Sequence, residues 1–324
     1  MTGPGTPALA VVADALVKRF GTTTALGGVS FEVRRGELFG FIGPDGAGKT
    51  TLFRILATLL VPTSGRAEVL GLEVTANLWE LRRRVGYMAG RFSLYPDLSI
   101  RENLDFFASV FGTTVEREYA QIEPIYNQIE PFATRRAADL SGGMKQKLAL
   151  CCALVHRPDI LFLDEPTTGV DAVSRREFWD LLASLKASKL TIVVSTPYMD
   201  EAARCDRIAL IQKGQILAID TPDAVTGSFG RPMLTVHTAE RHAALALARS
   251  YPHADWVYPF GETLHFTDRR RDIGGERLAA ELQDFLRSRG MTDAKVSNTP
   301  AMIEDVFIDR MGAPESVPEP GAAA

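Results

Sequence analysis

Gly43-Pro44-Asp45-Gly46-Ala47-Gly48-Lys49-Thr50 fits the pattern G-x-x-x-x-G-K-[ST] of a phosphate-binding loop. An apolar run, residues 38–42, precedes it and reads as a buried strand. Residues 51–57 follow with helical patterning. The motif therefore has the strand–loop–helix setting it needs. Glycines let backbone N–H groups turn inward around an anion, and the helix N-terminus adds the positive end of its dipole. In this pattern Lys49 reaches the β- and γ-phosphates, and the Thr50 hydroxyl holds Mg²⁺.

The rest of the chain sets bounds around that loop. Its 324 residues suffice for one large domain and a small one, or for two medium ones. A net charge of −4 gives no reason to expect a nucleic-acid partner. Cys151, Cys152 and Cys205 are odd in number and imply no disulfide framework, which points to a reducing cytosol. Residues 1–7 lack the charged and apolar regions of a signal peptide. No apolar run approaches the ~18 residues of a membrane helix, so work at a membrane needs another chain to span it.

Residues 1–7 are rich in Gly, Pro and Thr and read as disordered. Residues 8–17 read as strand and 18–21 as a turn. Val29, Phe31 and Val33 alternate with polar residues, as in a half-buried strand. Residues 66–70 resume as strand after Pro62-Thr63-Ser64-Gly65. Helical stretches at 78–84, 100–111, 117–131 and 144–155 then interrupt the α/β pattern and suggest a helical subdomain. The Arg82-Arg83-Arg84 run reads as a solvated face, and His156 as a solvated helix end. Residues 160–165 form an apolar strand ending in two carboxylates, 174–187 a helix and 190–194 a β-branched strand. Lys213-Gly214 marks a hairpin between residues 208–211 and 215–218. Beyond a boundary near 227–232, strand 233–237, helix 239–249, strands 255–259 and 263–267, helix 276–288 and strand 294–297 read as a small βαββαβ sandwich, followed by helix 302–311. Leu278, Leu282, Phe285 and Leu286 should face its sheet, and Arg269-Arg270-Arg271 reads as a solvated turn. The Pro- and Ala-rich tail, 312–324, reads as disordered.

Two further segments suit a phosphate site. Asp164 at the exposed end of its strand can hold Mg²⁺ through water, which places Glu165 to polarise an attacking water. Taken alone, the pair could equally cap a helix or turn. Ser141-Gly142-Gly143 opens a helix with bare N–H groups, the same anion-binding logic as the loop. Alone it is also a common N-cap.

Together these segments resemble the ATP-binding subunit of an ABC transporter over residues 8–230. Leu140-Ser141-Gly142-Gly143-Met144-Lys145-Gln146 is similar to the family signature. Leu163-Asp164-Glu165-Pro166-Thr167-Thr168-Gly169-Val170-Asp171 is similar to its Walker B and D-loop run. Gly86-Tyr87-Met88, Leu94-Tyr95-Pro96-Asp97-Leu98-Ser99, Glu102-Asn103-Leu104, Tyr198-Met199-Asp200-Glu201-Ala202 and Ile303-Glu304-Asp305-Val306-Phe307-Ile308 resemble the ABC-2-type multidrug exporter group.

The resemblance implies an α/β fold, a P-loop ABC ATPase. It has a RecA-like core, an antiparallel β subdomain and a helical signature subdomain, about residues 87–150, within an ATP-binding domain of residues 8–230. A small C-terminal α+β domain, residues 231–311, follows. The cofactors implied are ATP and Mg²⁺. Phe20 would stack on adenine, and Gly43, Pro44, Asp45, Gly46, Ala47, Gly48, Lys49, Thr50 and Thr51 would hold the phosphates. Thr50 and Asp164 would hold the metal, with Glu165 as the catalytic base. Ser141, Gly142, Gly143 and Gln146 would contact the ATP of a partner subunit, and Asp171 would tie the two halves together. The partners implied are a membrane-spanning permease and a second ATP-binding subunit, identical or different. The implied location is cytoplasmic, peripheral on the inner face of the cell membrane, and the implied cargo is drugs or lipids.

Two positions depart from the family pattern. Gly90 stands where a glutamine is expected, and Pro197 where a histidine is expected. Either the branch tolerates the changes, or the site is impaired. Two functions therefore stay open: an ATP-hydrolysing export subunit, or a nucleotide-gated regulatory subunit with little hydrolysis. DNA-repair and translation relatives fit less well, since long coiled-coil insertions and a second signature are missing.

Overall fold

A computed structural model describes residues 8–90 and 94–311. The disorder expected for residues 1–7 and 312–324 falls outside these residues. The chain forms two compact units, one up to Pro222 and one from Asp223.

The first unit begins with β1 (Leu9–Phe20) and β2 (Thr23–Arg34). β1 overruns the turn expected at residues 18–21. Lys18, Arg19 and Phe20 pair with β2, and Gly21 supplies the reversal at φ 57°. Next come β3 (Leu38–Ile42), α1 (Lys49–Leu56), β4 (Ser64–Val69) and β5 (Leu72–Glu73). The helical stretch runs α2 (Leu78–Arg84), then β6 (Val85–Met88), α3 (Ile100–Val110), α4 (Val115–Tyr126) and α5 (Gly142–Leu154). The helix expected at 117–131 starts at Val115, where Thr114 caps it, and ends at Tyr126. Glu130–Phe132 is a separate 3₁₀ turn with Pro131 at its start, where the missing N–H costs nothing. β7 (Ile160–Asp164), α6 (Ala172–Ala187), β8 (Thr191–Thr196), β9 (Arg207–Gln212) and β10 (Gln215–Asp220) follow, and the short α7 (Pro222–Gly227) opens the second unit, ahead of the boundary expected near 227–232.

Two sheets result. One is antiparallel, in the order β2-β1-β4-β5. The other has six strands in the order β10-β9-β3-β8-β7-β6, parallel except where the hairpin strand β10 joins β9. β3, β7 and β8 are fully buried runs, as a sheet covered on both faces requires. In open α/β sheets ligands bind beyond the carboxyl ends of the strands. Here the ends of β3, β8, β7 and β6 carry the glycine loop, Ser195–Pro197, Asp164–Glu165 and Ala89–Gly90 in neighbouring positions.

An aromatic ladder fixes these parts to one another. Phe31 meets Phe41 edge-on at 4.9 Å, Phe41 meets Phe53 at 5.8 Å, and Phe53 meets Phe162 at 5.9 Å. The ladder thus runs from the antiparallel sheet through β3 and α1 to β7. Burying a ring such as Phe53 contributes about 2–3 kcal/mol.

A second anchor sits at the start of α3. Ser99 and Glu102 form a reciprocal capping box. Asn103, fully buried, donates to the carbonyls of Tyr95, Leu98 and Ser99 and accepts from the Tyr95 N–H. It thereby pins the loop ahead of the helix.

The second unit contains β11 (Met233–His237), α8 (Arg241–Arg249), β12 (Ala254–Phe260), β13 (Thr263–Asp268), α9 (Gly275–Ser288), β14 (Lys295–Thr299) and α10 (Ile303–Met311). Its antiparallel sheet has the order β12-β13-β11-β14, the split βαββαβ arrangement. Leu278, Leu282 and Leu286 of α9 are fully buried in its core, with Phe285 at the margin. Arg270 is no free turn residue, since it pairs with Asp268 and Glu281.

Candidate functional site

The glycine loop lies between β3 and α1. Gly48 caps α1 at φ 104°, and a Cβ there would sit 2.5 Å from the Ala25 carbonyl oxygen. Only glycine fits both the backbone conformation and the space. Lys49 is 2% exposed. Its ammonium donates to the carbonyls of Gly43 at 2.7 Å and Pro44 at 2.9 Å and pairs with Glu165 Oε1 at 3.0 Å.

Residues 164 and 165 would point to opposite sides of a regular strand. The chain breaks that alternation. Glu165 takes φ 50°, a left-handed conformation rare outside glycine. Its N–H is held by the carbonyl of Ser195 at 3.1 Å and by the Ser195 hydroxyl oxygen at 3.0 Å. Both carboxylates consequently reach the loop, Glu165 through Lys49 and Asp164 through Thr50. The strain, of the order of 1–3 kcal/mol, is held where two strands converge.

The Thr50 hydroxyl donates to Asp164 Oδ1 at 3.1 Å, and the Ser195 hydroxyl donates to the same oxygen at 2.9 Å. Tyr87 turns its hydroxyl toward Asp164 Oδ2 at 3.4 Å. Burial pushes the Asp164 carboxyl up, opposed by the hydrogen bonds from Ser195 and Thr50. A cation beside it would favour the ionised form. Thr50 and Asp164 are hard oxygen donors that suit Mg²⁺. Among the described residues no group of three or more His, Cys, Asp or Glu side chains could hold a metal. The remaining ligands would have to be phosphate oxygens and water, which is how Mg²⁺ usually sits at nucleotide sites.

The other expected residues lie as follows. Phe20 is half exposed at the end of β1, with the Lys18 ammonium 5.1 Å from its ring centre. Pro44, Asp45, Gly46, Ala47 and Thr51 belong to the loop and the first turn of α1. Ser141 is the N-cap of α5, accepting from the Met144 N–H at 3.3 Å. Gly142 is exposed beside it, whereas Gly143 is buried. A Cβ at Gly143 would meet Ser174 Oγ at 2.7 Å, so this glycine serves the close packing of α5 on α6. Gln146 is half-buried on α5. Asp171 spends its carboxylate on its own helix, accepting from the N–H groups of Val173 at 3.1 Å and Ser174 at 3.0 Å as the cap of α6.

Gly90 follows β6 directly. A Cβ there would lie 2.8 Å from the Asp164 carbonyl oxygen, so a glutamine would require the backbone to move. Pro197 follows β8 with no donor to offer. Next to it, the Thr196 hydroxyl oxygen accepts from the Tyr198 N–H at 3.0 Å, and the Arg175 guanidinium stacks 4.4 Å from the Tyr198 ring centre.

Two expectations need correction. His156 is not a solvated helix end. Its ring stacks on Phe111 at 3.8 Å, its Nε2 lies 3.1 Å from the Val85 carbonyl oxygen, and burial holds it below the usual histidine range. The arginine run is only partly a solvated face. Arg82 donates to Thr58 Oγ1 and to the Thr58 carbonyl and lies over Trp79, while Arg84 pairs with Asp159 at 2.6 Å.

Arg82 and His156 border a groove of about 580 Å³ between α2, α3 and α5, with Trp79, Val110 and Phe111 also on its walls. Trp79 is 73% exposed and Val110 62%, uncommon for such side chains. Sequence reasoning missed Ser195, Tyr87 and this groove. Ser195 lies just past the end assigned to a β-branched run, and strand-end position was its only local signal.

Known proteins resemble the chain in sequence and in fold. The model of the family described as ABC transporter matches residues 26–168. The chain is 47% identical over 228 residues to the probable multidrug ABC transporter ATP-binding protein YbhF of Escherichia coli, covering 68% of this chain and 39% of that protein. The chain thus spans well under half of the length of that relative. It is 35% identical to the Nod factor export ATP-binding protein I of Burkholderia lata, covering 91% of this chain and 94% of the relative. Among solved structures it is similar to cbiO1 of Clostridium perfringens, part of the cbiONQ transporter complex, with a TM-score of 0.62 and 25% identity over 68% of this chain and 92% of that one. It is also similar to the ATP-binding cassette MJ0796 in a dimeric post-hydrolysis state with ADP and Pi, with a TM-score of 0.59 and 26% identity over 65% of this chain and 98% of that one.

Proposed function

The chain belongs to the ABC transporter ATP-binding proteins, and on that premise we propose that it binds and hydrolyses ATP to drive export through a separate membrane-spanning permease. The observation that carries the reading is the turn at Glu165, which aims two successive carboxylates at Lys49 and Thr50.

Phosphate oxygens arriving at the loop compete with Glu165 for the Lys49 ammonium. Their success frees the Glu165 carboxylate to accept a proton from water. Thr50 and Asp164 hold Mg²⁺, which when bound neutralises charge developing on the phosphates. Phe20 stacks on the adenine. Ser141, Gly142 and Gln146 cover the ATP of a second ATP-binding subunit, and Asp171 lies at the seam between the two. The ATP-binding domain is residues 8–230 with its helical part at about 87–150, and residues 231–311 form an accessory domain. No described helix is long and apolar enough to cross a membrane. This suits a subunit held on the cytoplasmic face by its permease, and the exposed apolar groove beside Trp79 suits a contact with that permease. Drugs are the proposed cargo by analogy with the name of the multidrug relative, and lipids by the family resemblance alone.

Gly90 and Pro197 favour a second reading, a nucleotide-gated subunit that scarcely hydrolyses ATP. They also favour pairing with a different ATP-binding subunit, whose own loop site this chain's Ser141 would complete. The test is turnover by the complex of this chain with the ATP-binding subunit that co-purifies with it. Ser141→Arg places a bulky cation where the partner's γ-phosphate would lie and should abolish the partner site's turnover. Unchanged turnover would rule out the sandwich.

A further inference from the structure

We propose that Tyr87 is a positioning residue for Asp164, fixing the carboxylate so that one oxygen is presented to a divalent cation. The inference rests on the reading of Thr50 and Asp164 as the metal-holding pair.

The geometry is specific. Asp164 Oδ1 accepts from both Thr50 and Ser195. At Oδ2 the facing group is the Tyr87 hydroxyl at 3.4 Å. A carboxylate held at one oxygen alone can swing about its Cβ–Cγ bond. A donor at the second oxygen stops that rotation. A carboxylate oxygen only accepts, so in this pair the phenol donates.

Strand register places the ring. β6 pairs with β7 in parallel, with Tyr87 opposite Phe162, two residues before Asp164. The ring also lines the groove between α2, α3 and α5. Three residues further on, Gly90 has no side chain with which to approach the carboxylate. Tyr87 is then the polar side chain through which β6 acts on this site.

The test compares the affinity of the full chain for a fluorescent ATP analogue in excess Mg²⁺ and in EDTA. The ratio of the two measures how strongly metal and nucleotide support each other. Tyr87→Phe keeps the ring in the groove wall and removes only the hydroxyl. The ratio should fall on the order of tenfold, as is typical when a partner of a metal ligand is lost. The affinity in EDTA should stay at the wild-type value. In an Asp164→Asn background, Tyr87→Phe should change the ratio no further. An unchanged ratio in Tyr87→Phe, with wild type metal-dependent, would overturn the role of Tyr87 alone. Equal losses with and without metal would also overturn it, since they would mark a merely structural residue. A wild-type ratio near one would overturn the metal-site reading itself.

Discussion

Lys49→Ala is expected to lower ATP affinity by about a hundredfold or more. The ammonium is buried and would bond to two phosphate groups. Charge-assisted bonds contribute ~1.5–3 kcal/mol each. The variant should still fold, because Glu165, its ion-pair partner, keeps about a fifth of its side-chain surface in solvent. Phe20→Ala is the comparison. Its ring is half exposed, so stacking should contribute near the low end of the ~1–3 kcal/mol of base–aromatic contacts. Titration with a fluorescent ATP analogue measures both variants. Wild-type affinity in Lys49→Ala would remove the glycine loop from the account.

Glu165→Gln should leave ATP affinity within a few-fold of wild type and cut hydrolysis by ~10²–10⁴-fold, the usual contribution of a positioned base. The amide preserves shape and can still accept from Lys49, but it cannot take a proton from water. The two substitutions thus separate binding from chemistry. With hydrolysis blocked, the ATP-bound dimer should accumulate, visible by light scattering. Turnover equal to wild type in Glu165→Gln would mean that another group acts as base.

Much of this arrangement was legible in the sequence. The glycine loop, the strand before it and the helix after it lie where the pattern places them, because loop chemistry is local and glycine positions are unforgiving. The small C-terminal sandwich was legible as well, from the spacing of Leu278, Leu282 and Leu286 and the strands flanking α9. Pairing across distance was harder to read. Tyr87 and Asp164 are 77 positions apart, and Ser195 lies 31 beyond Asp164. Only the strand order, with β8 between β3 and β7, brings them together. The left-handed turn at Glu165 had no glycine to announce it. Side-chain surroundings were harder still. The cap that Asp171 gives its own helix could not be read from the D-loop resemblance. His156 looked solvated because its partners, Phe111 and the Val85 carbonyl, come from elsewhere in the chain.

The most direct measurement is phosphate release by the full chain assembled with the membrane partner that co-purifies with it, with ATP binding followed in the same samples. The account predicts release that saturates with ATP, requires Mg²⁺ and disappears with Glu165→Gln while binding persists. ATP binding without Mg²⁺-dependent release would contradict it and would make the chain a nucleotide-gated subunit.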